Sequence, residues 1–166
     1  MKKIYKHIEG VKVTAEFDKN YRYRLDISLI NPAQSRKTAC VVMQNPSDAG
    51  EEIADKSVQF MEKVVFQKNL PEFTGVQRLI VVNQFAHIQT NKFRGLPGEI
   101  GSKNDVAIKS ALKESDIIIL GWGVTNRFKE RQAFVRGLID EMDGKELFVT
   151  KKHPSRAGYN GFIIAA

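Results

Sequence analysis

Four short apolar runs, at 39–44, 79–82, 117–120 and 147–150, are almost free of polar alternation. A strand with one wet face alternates apolar and polar residues. An unbroken apolar run marks a strand covered on both faces, as in parallel sheets flanked by helices. Each run also ends in a chemically distinctive way. The first runs into Asn45-Pro46-Ser47, the second into Asn83, and the third into Gly121-Trp122-Gly123. The fourth reaches His153-Pro154-Ser155 after two lysines. In open α/β sheets, ligands bind outside the carboxyl ends of the strands. The four endings therefore predict one site built from places far apart in sequence.

The segments between the runs carry helical spacing. Residues 55–68 place Val58, Met61, Val64 and Val65 on one face, and Asp55 stands where an N-cap belongs. Asn69-Leu70-Pro71 closes that helix. A second helix, capped by Asn104 or Ser102, is expected to turn Val106, Ile108, Ala111 and Leu112 inward. A third carries Phe128, Phe134, Val135, Leu138 and Ile139. Ahead of the first run, residues 11–17 and 21–29 alternate around Asp18-Lys19-Asn20, which reads as a β-hairpin at one sheet edge. The expected fold is a three-layer α/β/α domain spanning 1–166. Its centre is a four-stranded parallel sheet, and the hairpin lies at its N-terminal end. The polar loop 89–103 is long enough to suggest a binding loop.

Composition narrows the partners. The net charge of +7 favours a polyanion such as nucleic acid or a nucleotide. Nothing near the N-terminus resembles an export signal, and no run approaches membrane-spanning length. A cytoplasmic protein without membrane association, monomeric by default, is the expectation. The single cysteine, Cys40, sits within an apolar run and reads as a small core residue. No His/Cys/Asp/Glu group has metal-ligand spacing, and no glycine-rich phosphate loop is present. Neither a metal nor another cofactor is expected.

Each motif admits a bland and a functional reading. Asn45 can stabilise an Asn-Pro turn, or hold a water or an amide-like ligand. Asn83 can satisfy backbone at a strand end, or read the donor–acceptor edge of a base. His153 can be a surface histidine in a basic turn. As neutral imidazole it can also donate to an oxygen that gains charge. Ser155 and Arg156 then suit a phosphate. Trp122 reads as packing rather than stacking. His7 falls in a frayed terminus, and His87 is placed to share the cleft with Asn83.

Taken in order, these pieces resemble the uracil-DNA glycosylase superfamily. That superfamily shows a strand ending in Asp-Pro or Asn-Pro, a strand ending in a base-reading Asn, a Trp-Gly ending, and a late His-Pro-Ser. A second resemblance covers nearly the whole chain. It is to an uncharacterised bacterial and phage family, a domain of unknown function. Tyr21-Arg22-Tyr23-Arg24-Leu25, Asn45-Pro46-Ser47, Val81-Val82-Asn83-Gln84-Phe85-Ala86, Asn104-Asp105, Trp122-Gly123 and His153-Pro154 carry it.

The glycosylase resemblance implies roles. Asn45 would position the water that attacks C1′, and His153 would stabilise the departing base. Asn83 would read the base, with Phe85 or Phe60 stacking on it. Ser47, Ser155 and Arg156 would hold phosphates. Strongly water-activating members carry Asp where this chain has Asn45, so Asp48 or Asp55 is the alternative base. Arg156-Ala157-Gly158 stands where strong members insert an apolar wedge into duplex DNA. The implied activity is hydrolysis of an N-glycosidic bond in nucleic acid or a nucleotide. One alternative is a non-catalytic nucleotide or nucleic-acid binding module on the same fold. Another is a different nucleotide hydrolase or transferase that uses Asp48 or Asp55.

Overall fold

A computed structural model describes residues 3–32, 36–89, 92–123 and 127–166. Parts of the 31–35 and 89–103 loops, and the residues directly after Gly123, lie outside that description. Among these residues, seven strands form one sheet in the order β1-β2-β4-β3-β5-β6-β7. β1 (Val11–Asp18) and β2 (Tyr21–Leu29) are the hairpin, and β2 pairs antiparallel with β4 (Val76–Asn83). β4, β3 (Lys37–Met43), β5 (Ile117–Leu120) and β6 (Glu146–Thr150) pair in parallel.

β7 (Ile163–Ala165) pairs antiparallel with β6 and is an addition to the expected sheet. It has only three residues at an open edge, too few to show a period. The mixed seven-stranded sheet therefore replaces the simpler picture of four parallel strands plus a hairpin.

The period-2 geometry of the strands divides the core. Ala39, Val41 and Met43 pack with α1 (Lys56–Phe66) on one face, while Cys40 and Val42 face α2 (Asn104–Glu114) and α3 (Lys129–Asp140) on the other. Both faces are dry, which explains the unbroken apolar runs. Burial pushes the Cys40 thiol up to about 12, so it stays protonated and packs as a small apolar group.

Two helix details correct the sequence reading. Val106 is 73% exposed, not inward. The inward set on α2 is Asn104, Ile108, Ala111 and Leu112, and Val106 lies two residues from both Asn104 and Ile108, about 200° round the helix. Asn104 is not the cap either. Lys103 occupies that position without a side-chain bond. The buried Asn104 instead donates to the carbonyls of Asn83 and Gln84 and holds the end of β4.

The N-terminal segment is also docked, not frayed at His7. Its imidazole bonds Glu62 through Nδ1 (2.6 Å) and the Gly50 carbonyl through Nε2 (2.7 Å). Both partners are acceptors, so both ring nitrogens donate and the ring is an imidazolium. Burial opposes that charge. The bonds to Glu62 and Gly50 outweigh it and raise His7 above its ordinary 6.5. A raised folded value stabilises fully below pH 6.5, and the contribution is lost as pH rises through the folded value. His7→Gln is expected to cost about 2–3 kcal/mol at pH 6 and clearly less at pH 9. Urea midpoints of both proteins at the two pH values check this. A gap that does not shrink with pH contradicts the charged pair.

Candidate functional site

The order of the parallel strands fixes where a cleft must open. From β3 the chain moves outward to β4, then returns to the other side of β3 to form β5. Connections leaving adjacent strands in opposite directions separate their loops at the carboxyl ends, which is where doubly wound sheets bind ligands. A cavity of about 760 Å³ lies there. That is a size suited to a small organic ligand.

Three strand ends supply its walls. β3 delivers Asn45 and Ser47, β5 delivers Trp122 and Gly123, and β6 delivers His153, Ser155 and Arg156. The first turn of α1 adds Asp55, Lys56 and Ser57. Asn45 and Arg156, 111 positions apart, thus meet because three parallel strands end on one side of the sheet.

The β6 exit is shaped by a tight approach. A methyl group on Gly123, at φ +77°, would stand 2.8 Å from the His153 backbone nitrogen. Within the Pro154–Arg156 turn, the Ser155 N–H donates to His153 Nδ1 (3.2 Å), and Ser155 Oγ lies 2.9 Å from the same nitrogen. Nδ1 is thereby an acceptor, so the neutral ring carries its proton on Nε2. Burial, joined by the charge of Arg156 and opposed by Asp55, holds His153 below 6.5. The neutral donor form therefore prevails at pH 7.

Asn45 is half-buried. Its Nδ2 donates to the Gln89 carbonyl (2.7 Å), and its Oδ1 accepts from Gln44 Nε2 at 3.4 Å. Gln89 also lines the cavity, and its own N–H donates to the Pro46 carbonyl. The start of the long loop is thus clipped to the Asn-Pro turn. Asp55 both caps α1, accepting from the Val58 N–H at 2.8 Å, and lines the cavity. Bland and functional readings coexist in that residue.

The β4 ending differs from the other three. Asn83 and Phe85 are not among the residues lining the cavity. Asn83 is 1% exposed, and its Oδ1 accepts from Arg22 Nη2 (3.2 Å). Phe85 sits within a cluster of three aromatic rings with Phe93 and Phe128, at centroid distances of 5.1 and 5.0 Å. Phe60 stacks on Tyr159 instead. His87 packs edge-on against Tyr21 and does not line the cavity either. Asp48 is exposed and lies outside the lining.

Arg22 occupies the position that the sequence reading gave to Asn83. It is 1% exposed, donates to the Ala49 carbonyl (3.0 Å) and to Asn83, and lines the cavity. In an alternating hairpin strand, Arg22 reads as part of a solvent face. β2 is instead an inner strand, with β1 on one side and β4 on the other. Because β2 runs antiparallel to β4, its first residues meet the carboxyl end of β4. A charged residue beside Tyr21 and Tyr23 was the signal available for it.

Among the described residues, no group of three His, Cys, Asp or Glu side chains is placed to hold a metal ion, and no helix is long and apolar enough to cross a membrane. One family model, "Protein of unknown function (DUF1643)", matches residues 22–156. The chain belongs to that family. The matched span starts at Arg22 and ends at Arg156, so it contains every described residue that lines the cavity. No curated protein and no solved structure matches the chain.

Proposed function

We propose that this cleft binds a nucleotide unit, free or within nucleic acid, in the cytoplasm, and hydrolyses its N-glycosidic bond. The same reading takes the α/β/α arrangement as uracil-DNA glycosylase-like. The observation that carries the proposal is the bond from the Ser155 N–H to His153 Nδ1. A neutral imidazole whose Nδ1 is occupied offers Nε2–H to an oxygen of the departing base. In the step proposed, water attacks C1′, the C1′–N bond breaks, and its electron pair leaves with the base. The sugar passes through an oxocarbenium-like transition state, as in other glycoside hydrolyses.

Asn45 Oδ1 is suited to hold a hydrogen of the attacking water but cannot take its proton. Asp55, the one carboxylate lining the cavity among the described residues, can. Ser47, Ser155 and Arg156 remain the phosphate contacts of this reading. A second reading, a binding module without catalysis, draws support from the same facts. One Asp55 oxygen is committed to the helix cap, and Asn45 lacks basicity. Liberated base, measured by mass spectrometry after incubation with uracil-, hypoxanthine- or xanthine-containing strands and nucleotides, separates the two. Release lost in Asn45→Ala, with folding intact, supports hydrolysis. Binding without release supports the module.

A further inference from the structure

Among the described residues, six cationic side chains line the cavity, Arg22, Lys56, Arg127, Lys151, Lys152 and Arg156, against the single carboxylate of Asp55. They are not equivalent. Lys56, Lys151, Lys152 and Arg156 are exposed at the mouth, whereas Arg22 is almost wholly buried. Burying a guanidinium is costly unless its donors are matched. Arg22 meets two neutral acceptors, the Ala49 carbonyl and Asn83 Oδ1, and its Nε–H has no partner among the described residues. Burial pulls Arg22 down to about 10, with Asp55 acting in the other direction, so the group remains charged at neutral pH.

Beside it the first turn of α1 opens on the same cavity. Asp55 caps the Val58 N–H, while the amides of Lys56 and Ser57, first and second in the helix, have no intrahelical acceptor. A helix N-terminus with a nearby guanidinium suits an oxyanion.

We infer that the inner end of this cavity is a phosphomonoester subsite, with Arg22 and the α1 first turn as its donors and the phosphate taken from a mononucleotide or from the phosphorylated end of a strand. A terminal phosphate carries close to two charges at neutral pH and three acceptor oxygens. An internal phosphodiester carries one charge, and its chain must leave in two directions, which a site at a 1%-exposed side chain does not allow. The inference goes beyond the glycosidic reading and stands if that reading fails.

Calorimetric titration at fixed ionic strength tests it. The probes are inorganic phosphate, a deoxynucleoside 5′-monophosphate, its nucleoside, and a short single strand with and without a 5′-phosphate. The monophosphate is expected to bind at least tenfold more tightly than the nucleoside. A comparable gain from the 5′-phosphate of the strand assigns strand ends as the source, and a gain confined to the monophosphate assigns free nucleotides. Arg22→Met is expected to erase the preference while leaving nucleoside affinity within about twofold. If Arg22→Met does not fold, Arg22→Lys, which keeps the charge but not the planar fork, is expected to lower the preference in part. Equal affinity for nucleoside and monophosphate overturns the subsite, as does absence of binding by every phosphate probe. A loss shared equally by nucleoside and monophosphate in the Arg22 variants leaves Arg22 as a clamp on the 44–50 loop and overturns it too.

Discussion

His153→Ala is expected to slow base release by about 10²–10³-fold, with a much smaller change in nucleotide affinity. Removing one preorganised donor to a developing anion typically costs that much. The donor is preorganised here because the Ser155 N–H fixes the ring through Nδ1 before any ligand arrives. The pH profile gives a sharper readout than the rate alone. Burial and the Arg156 charge hold His153 below 6.5, so the neutral donor persists as pH falls through 6.5 and is lost only at more acid values. The acid limb of kcat is therefore expected below pH 6.5. Arg156→Gln removes one cause of the depression, and its limb is expected to move upward toward 6.5, whatever it does to the absolute rate. An acid limb above 6.5 in the unaltered protein, or an undiminished rate in His153→Ala, contradicts the role. The solvent-facing Asp48 supplies the control, since Asp48→Asn is expected to leave the limb in place.

What the sequence made legible follows from the physics of each element. The parallel strands were readable because helices cover both faces, and double burial erases the alternation that marks a half-wet strand. Asp55 was readable because helix caps use a short list of residues. That Asn45, Ser47, His153, Ser155 and Arg156 come to one cavity was readable because parallel strands deliver their endings to one side of the sheet. The Asn83 and Phe85 placements depended on something local pattern does not encode, namely which strand pairs with β4 on its outer side. The antiparallel β2 brings Arg22 over Asn83, and a loop brings Phe93 and the start of α3 brings Phe128 against Phe85. His7 was opaque for a related reason. Its partners lie 43 and 55 residues away, and only the fold brings Gly50 and Glu62 to it.

Gly123→Ala tests how strictly the backbone of that site is specified. Two penalties coincide at this position. The left-handed backbone, φ +77°, costs a non-glycine residue about 1–2 kcal/mol. The added methyl would also stand 2.8 Å from the His153 nitrogen and 3.1 Å from the Lys152 carbonyl carbon. Both are main-chain atoms, so no side-chain rotation relieves the contact. Overpacking of this kind adds about 1–3 kcal/mol. Gly144→Ala isolates the first penalty. Its φ is +74°, close to that of Gly123, and nothing lies within 4 Å of the added methyl. Gly144→Ala is therefore expected to lose about 1–2 kcal/mol in urea unfolding with ligand binding unchanged. Gly123→Ala is expected to lose more, and also to weaken nucleotide binding, because relieving the contact means moving apart the Gly123 backbone and the chain that carries His153 and Ser155, both at the cavity wall. Equal stability losses in the two variants, with binding intact in both, would show that the β6 exit yields easily and that the close approach of Gly123 does not hold the site in shape.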